Sequence, residues 1–139
     1  MKVVVNRCYG GFGLSDKACE MVMKRKGLEC FKYRQTKYDF MHGVNEYTRC
    51  EKYDGDDIFR NYLTVDLGEK VDELPNEICW HYGNLNRDDA DLIAVVEELG
   101  EEANKQFSKL EVVEIPDGVN WEIDDHDGIE TIEEVHRTW

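Results

Sequence analysis

The chain contains only two prolines, Pro75 and Pro116. No proline-rich linker divides it, and it carries no internal repeat and no low-complexity tract, so it reads as a single domain over residues 1–139. Long apolar runs are missing as well. No stretch approaches the roughly 18 consecutive apolar residues that a spanning helix needs. The opening Met1-Lys2-Val3-Val4-Val5-Asn6-Arg7 is charged too soon to read as a secretory signal. The cysteines, Cys8, Cys19, Cys30, Cys50 and Cys79, form no Cys-x-x-Cys pair. They read as reduced thiols, several of them small core residues, and a zinc site on Cys50, Cys79 and His81 has no supporting spacing. Basic residues are scarce: 17 Lys and Arg stand against 31 Asp and Glu, a formal net charge of −14. Such a balance opposes direct binding to nucleic acid or to an anionic membrane and suits a basic protein surface.

With 139 residues the chain is long enough to bury a core without disulfide staples. Lys2 to Cys8 is a β-branched run that predicts a buried strand. Ser15 is a good N-cap for a helix from Asp16 to Lys26, with Ala18, Cys19, Val22 and Met23 as its apolar stripe and Gly27 at its end. A second helix begins at Asp88 or Asp89, with Leu92, Val95, Val96 and Leu99 on one face. Gly100 bends or ends it, and Glu101 to Phe107 continues as helix. Lys109 to Ile115 and Val119 to Ile123 read as strands around the turn Pro116-Asp117-Gly118. Asp127-Gly128 precedes a predicted third helix, Ile129 to His136, with Ile129, Ile132 and Val135 inward.

The segment 28–83 is aromatic, variable-looking and harder to read. Its candidate strands are Glu29 to Arg34, Tyr47 to Tyr53, Asn61 to Asp66 and Ile78 to Tyr82, with a turn at Tyr53-Asp54-Gly55-Asp56. The order β-α-β(mixed)-α-β-β-α, with about three helices and a mixed sheet, implies an α+β fold or a small three-layer α/β fold.

The most informative motif is Tyr9-Gly10-Gly11-Phe12-Gly13-Leu14-Ser15. A strand, a run of glycines and a capped helix can present backbone N–H groups to an anion. The spacing is neither a dinucleotide fingerprint nor a Walker A loop, and a tight strand-to-helix connection explains it equally. Lys24, Arg25, Lys26, Lys32, Arg34 and Lys37 form a basic island, read either as helix-end complementation with a solvated face or as a local anion site. From Glu111 to Glu134 there is no Lys or Arg, a solvated face or an acidic interface for a basic protein. Asp125-His126-Asp127-Gly128 is no calcium loop, because the first ligand position would fall on Ile123. His136-Arg137-Thr138-Trp139 is a basic, aromatic tail, expected to be packed on the core or on a second copy of the chain. No nucleophile–base pair is legible, and Cys79 and His81 at strand spacing read as structural.

Asn6-Arg7-Cys8-Tyr9-Gly10-Gly11-Phe12-Gly13-Leu14-Ser15, Leu92 to Gly100, Val113-Glu114-Ile115-Pro116-Asp117, Trp121-Glu122-Ile123, Asp127-Gly128-Ile129-Glu130 and the terminal His136-Arg137-Thr138-Trp139 together resemble a group of small uncharacterised bacteriophage and prophage proteins. The resemblance implies a setting, the host cytoplasm, rather than an activity; many small phage proteins of this kind counter host defence. Joined to the glycine loop, the basic island and the aromatics, it leads to the expectation of a binding protein, rather than an enzyme, that sequesters a phosphate-bearing nucleotide. The expected ligand-binding residues are Asn6, Arg7, Tyr9, Gly10, Gly11, Phe12, Gly13 and Ser15, with Arg137 as an outlying candidate and no cofactor or metal. The alternative is an acidic interaction protein that covers a basic surface of a host defence protein or mimics nucleic-acid charge.

Overall fold

The structure, a computed structural model, describes residues 1–53 and 60–135. The predicted turn at Asp54-Gly55-Asp56 and the tail 136–139, including Arg137 and Trp139, lie outside these residues. The chain forms two compact units, one from Met1–Arg25 with Leu85–Trp139, the other from Lys26–Asn84. The second unit coincides closely with the aromatic middle segment. None of the helices among the described residues is long and apolar enough to cross a membrane.

In the first unit β1 (Lys2–Asn6) pairs antiparallel with β7 (Leu110–Glu114), Val3 opposite Val113 and Asn6 opposite Leu110. Val3, Val4, Val5 and Asn6 are all fully buried, so β1 is covered on both faces. Helix α2 (Ala90–Leu99) and the strand β9 (Ile129–Glu134) both pack on β1, which is why β1 reads as a continuous apolar run rather than an alternation. Helix α1 (Asp16–Arg25) packs on α2 through Ala18, Cys19, Val22 and Met23, the stripe its sequence predicts. The Ser15 hydroxyl accepts from Ala18 N and donates to Glu102 O, a cap that also ties the helix to a neighbouring segment. Asp89 caps α2 by accepting from the Asp91 and Leu92 N–H groups.

Gly100 ends α2, and residues Gly100–Ala103 make a single 3₁₀ turn rather than the continued helix expected. The predicted third helix is a strand: β9 (Ile129–Glu134) forms a hairpin with β8 (Trp121–His126). Asp127 (φ 53°) and Gly128 (φ 89°) both adopt left-handed backbone, the two-residue turn whose twist matches paired strands. Ile129, Ile132 and Val135 fit a helical spacing. Alternation instead turns Glu130 and Ile132 inward and leaves Ile129 exposed. The described fold is therefore α+β with two α-helices, not about three.

Among the described residues the second unit is a five-stranded antiparallel sheet in the order β5-β3-β2-β4-β6. Its strands are β2 (Phe31–Asp39), β3 (Val44–Cys50), β4 (Asn61–Leu63), β5 (Lys70–Val71) and β6 (Cys79–Trp80). The long β2–β3 hairpin is bulged between Gln35 and Lys37. Two tyrosines fasten this sheet. The fully buried Tyr33 donates its hydroxyl to Gly68 O (2.7 Å) and Asp66 Oδ1 (3.2 Å) and accepts from Leu67 N. The Tyr53 hydroxyl meets the backbone of both Tyr33 and Asn61. Burial pushes the Tyr33 phenol up. The Gly68 N–H, followed by the Arg49 guanidinium, holds the Asp66 carboxyl below the usual carboxylate range.

Candidate binding site

The predicted glycine loop sits in the first unit, and Asn6 organises it. Fully buried at the end of β1, its amide nitrogen donates to Cys8 O and Gly128 O, both at 2.6 Å. Its amide oxygen accepts from Lys109 N at 2.8 Å and Cys8 N at 3.3 Å, and its own backbone N–H donates to Glu130 Oε1. One side chain thus ties the glycine loop to the start of β7 and to the β8–β9 turn. This is a brace, and it uses donors and acceptors that a ligand would otherwise meet.

The other expected residues divide between bracing and display. Arg7 donates to Glu111 Oε2 and to Glu130 O. Gly10 lies against Phe107, whose backbone carbonyl and Cβ leave no room for a side chain. Gly11 has positive φ (83°), open space where a Cβ would stand and an N–H directed to Cys8 O. The Gly13 carbonyl accepts from Ser108 Oγ. Phe12 lies under the Arg87 guanidinium, 3.6 Å from ring centroid to Cζ. Tyr9 is well exposed and its ring meets Phe107 at 5.7 Å. Arg137 is not among the described residues.

Sequence reasoning missed Arg87, Phe107 and Glu130. Arg87 holds both carboxylate oxygens of the buried Glu130, at 2.5 and 2.8 Å. Glu130 looked like one of many surface acids, and nothing local distinguishes it. Phe107 has φ 64° while remaining exposed, an arrangement that costs a bulky residue backbone strain and holds its ring at the surface beside Tyr9.

Members of the basic island have partners of their own within each unit. Arg25 pairs with Asp91 at 3.3 Å, Lys37 with Glu46 at 3.6 Å, and Lys32 is buried in the second unit's sheet. Cys79 donates to Pro75 O, while His81 accepts from Gly83 N and stacks on Tyr82, each engaged locally. Among the described residues no group of His, Cys, Asp and Glu is arranged to hold a metal ion.

The acidic stretch does converge on one element. Across the β8–β9 hairpin Glu122 stands directly opposite Glu133, beside Asp124 opposite Thr131, on the face away from Ile123 and Ile132. Neither Glu122 nor Glu133 joins an ion pair among the described residues. Like charges directly opposite across a strand pair destabilise it. No protein-family model, curated protein or solved structure matches the chain.

Proposed function

We propose that this is an acidic interaction protein that covers a basic surface of another protein, acting as a phage-encoded counter to host defence in the host cytoplasm. The observation that carries the reading is the Glu122–Glu133 pair. Two facing carboxylates cost the free hairpin stability, and a lysine or arginine from a partner would relieve that cost. The surrounding chain supports it, because between Asp88 and Glu134 the only basic residues besides His126 are Lys105 and Lys109. The exposed Tyr9 and Phe107 rings, in the same unit, supply the kind of aromatic anchor that protein interfaces favour.

Pull-down from host lysate at low and high salt, with wild type beside the Glu122→Gln/Glu133→Gln double variant, tests this. A partner held at low salt, released at high salt and weakened by the double variant is expected. A salt-insensitive partner, one indifferent to both substitutions, or none at all overturns it.

A second reading, sequestration of a phosphate-bearing nucleotide, draws on one observation: the Tyr9–Phe107 ring pair stands at the edge of the glycine loop, where a base could stack. Calorimetry with cyclic and ADP-ribose-type nucleotides tests it against the Phe107→Asn variant. Asparagine tolerates φ 64° and removes the ring, so folding is kept while stacking is lost. Binding tighter than about 100 μM that falls at least about tenfold in the variant supports this reading, and no heat with any nucleotide sinks it.

A further inference from the structure

The second unit carries an open strand edge. Strand β3 has seven residues, but β5, its outer neighbour, has two, pairing Tyr47 with Val71 and Thr48 with Lys70. Beyond Tyr47, the segment Val44, Asn45 and Glu46 has β2 on one side and no strand on the other among the described residues. Backbone groups in an antiparallel ribbon point alternately to either side. Arg49 N donates to Glu69 O on the β5 side, and by alternation Tyr47 and Asn45 face that side too. The N–H and C=O of Asn45 therefore look out from the sheet.

They look into a trough. After Val71 the chain diverges from β3, leaving a cleft of about 510 Å³ between Gly43, Val44, Asn45 and the pair Asp72 and Glu73. A second cleft of about 360 Å³ shares Asn45 and Asp72 with it and continues past Glu46 to Lys70. At Gly43 the first cleft reaches the hairpin tip, and on that tip Phe40 and Met41 are 80% and 86% exposed and Tyr38 and Val44 are also uncovered. Strand addition needs a free backbone edge and neighbouring space for alternate side chains, and here the edge is flanked by an acidic wall and an exposed apolar tip.

We propose that an extended basic segment of a partner protein adds to β3 here as a further strand. It would bond to the Asn45 backbone, place lysine or arginine beside Asp72 and Glu73, and seat an apolar side chain on Phe40 and Met41. Charge selects this occupant over a second copy of the chain, whose own acids would meet these across the new pairing. The edge lies within the second unit and is independent of the β8–β9 hairpin.

The probe is an acetylated eight-residue peptide alternating valine or threonine with lysine, and the control is its glutamate counterpart. Amide resonances of the full protein are followed during titration. The lysine peptide should shift Asn45, Tyr47 and Asp72 and slow exchange of the Asn45 amide, whereas the glutamate peptide should not. Asn45→Pro removes the outward N–H without touching the β2 ladder, a place where proline is tolerated, and should weaken binding at least about tenfold. Asp72→Lys/Glu73→Lys, at two exposed positions, should do the same without any demand on the backbone. Four results overturn the proposal: no shift at these residues up to about 1 mM lysine peptide, equal shifts with the glutamate peptide, binding unchanged in both variants, or a dimer of the chain that Asn45→Pro dissolves. Peptide binding that persists in Glu122→Gln/Glu133→Gln separates this edge from the hairpin face.

Discussion

Glu130 shows how much one residue can carry. It is a carboxylate buried between Arg87, whose guanidinium takes both its oxygens, and the Asn6 N–H. Removing one member of such a pair strands the other in a place that water reaches poorly. Glu130→Ala should therefore cost about 3–5 kcal/mol in urea unfolding, far more than loss of an exposed pair such as Lys17–Glu102. The double variant Glu130→Ala/Arg87→Ala should be less unstable than the two single losses added together, because the stranded charge is gone. Asp66 gives the second residue-level expectation. Its folded carboxyl is held low, first by the Gly68 N–H and then by Arg49, so it binds its proton more weakly folded than unfolded. The stability this contributes is present above the ordinary carboxylate range near about pH 4 and is lost as pH falls through the depressed folded value. Asp66→Asn should lower stability at neutral pH and flatten the acid limb of a stability–pH curve. An acid limb as steep as wild type would show that Asp66 does not contribute to it.

At the scale of elements, the role proposed for the β8–β9 hairpin sets stability against binding. Changing Glu133 to Lys converts a like-charge pair with Glu122 into an opposite-charge one. The hairpin should gain up to about 1 kcal/mol, read as a raised melting temperature, while affinity for a basic partner falls. A substitution that merely disrupted the hairpin would lower both stability and affinity, so gain of one with loss of the other is the signature sought. This hairpin is also where the sequence misled. Ile129, Ile132 and Val135 satisfy a helical spacing, and Ile129 with Thr131 and Ile132 satisfies a β-rich strand equally well. Asp127-Gly128 was the deciding signal, a hairpin turn read as a helix start. Helices α1 and α2 are legible because Ser15 and Asp89 mark their starts locally and their apolar stripes, Ala18 to Met23 and Leu92 to Leu99, keep the helical spacing. β6 (Cys79–Trp80) falls inside the expected strand Ile78 to Tyr82, whereas the two-residue β5 is too short to leave a pattern, and only pairing within the sheet defines it. The glycine loop was found, yet its bracing was not. Asn6 joins segments more than a hundred residues apart, and Arg87 meets Glu130 across forty-three positions, separations to which no local spacing is sensitive.

At the scale of the whole molecule, a net charge of −14 acts on folding as well as on partner choice. Folding gathers like charges that the unfolded chain keeps further apart, so the compact state bears the greater repulsion. Raising ionic strength from about 0.01 M to 0.15 M shortens the Debye length from about 30 Å to about 8 Å and damps that repulsion. The same salt weakens exposed ion pairs such as Lys2–Glu97 and Arg49–Asp66, but pairs this open to water add little to stability. The largely buried Arg87–Glu130 pair is screened far less. Repulsion spread over the whole chain should win, and the melting temperature should climb by a few degrees between these salt concentrations. Sodium chloride and tetramethylammonium chloride should act alike, since screening depends on ionic strength and not on a bound cation. A melting temperature that falls with salt would mean that the surface pairs outweigh the repulsion. Binding to a basic partner must move the opposite way, because there the screened interaction is an attraction. Stability rising and affinity falling along one salt series is therefore the joint behaviour expected of a protein whose excess negative charge is kept for its partner, and either slope with the wrong sign would break that link.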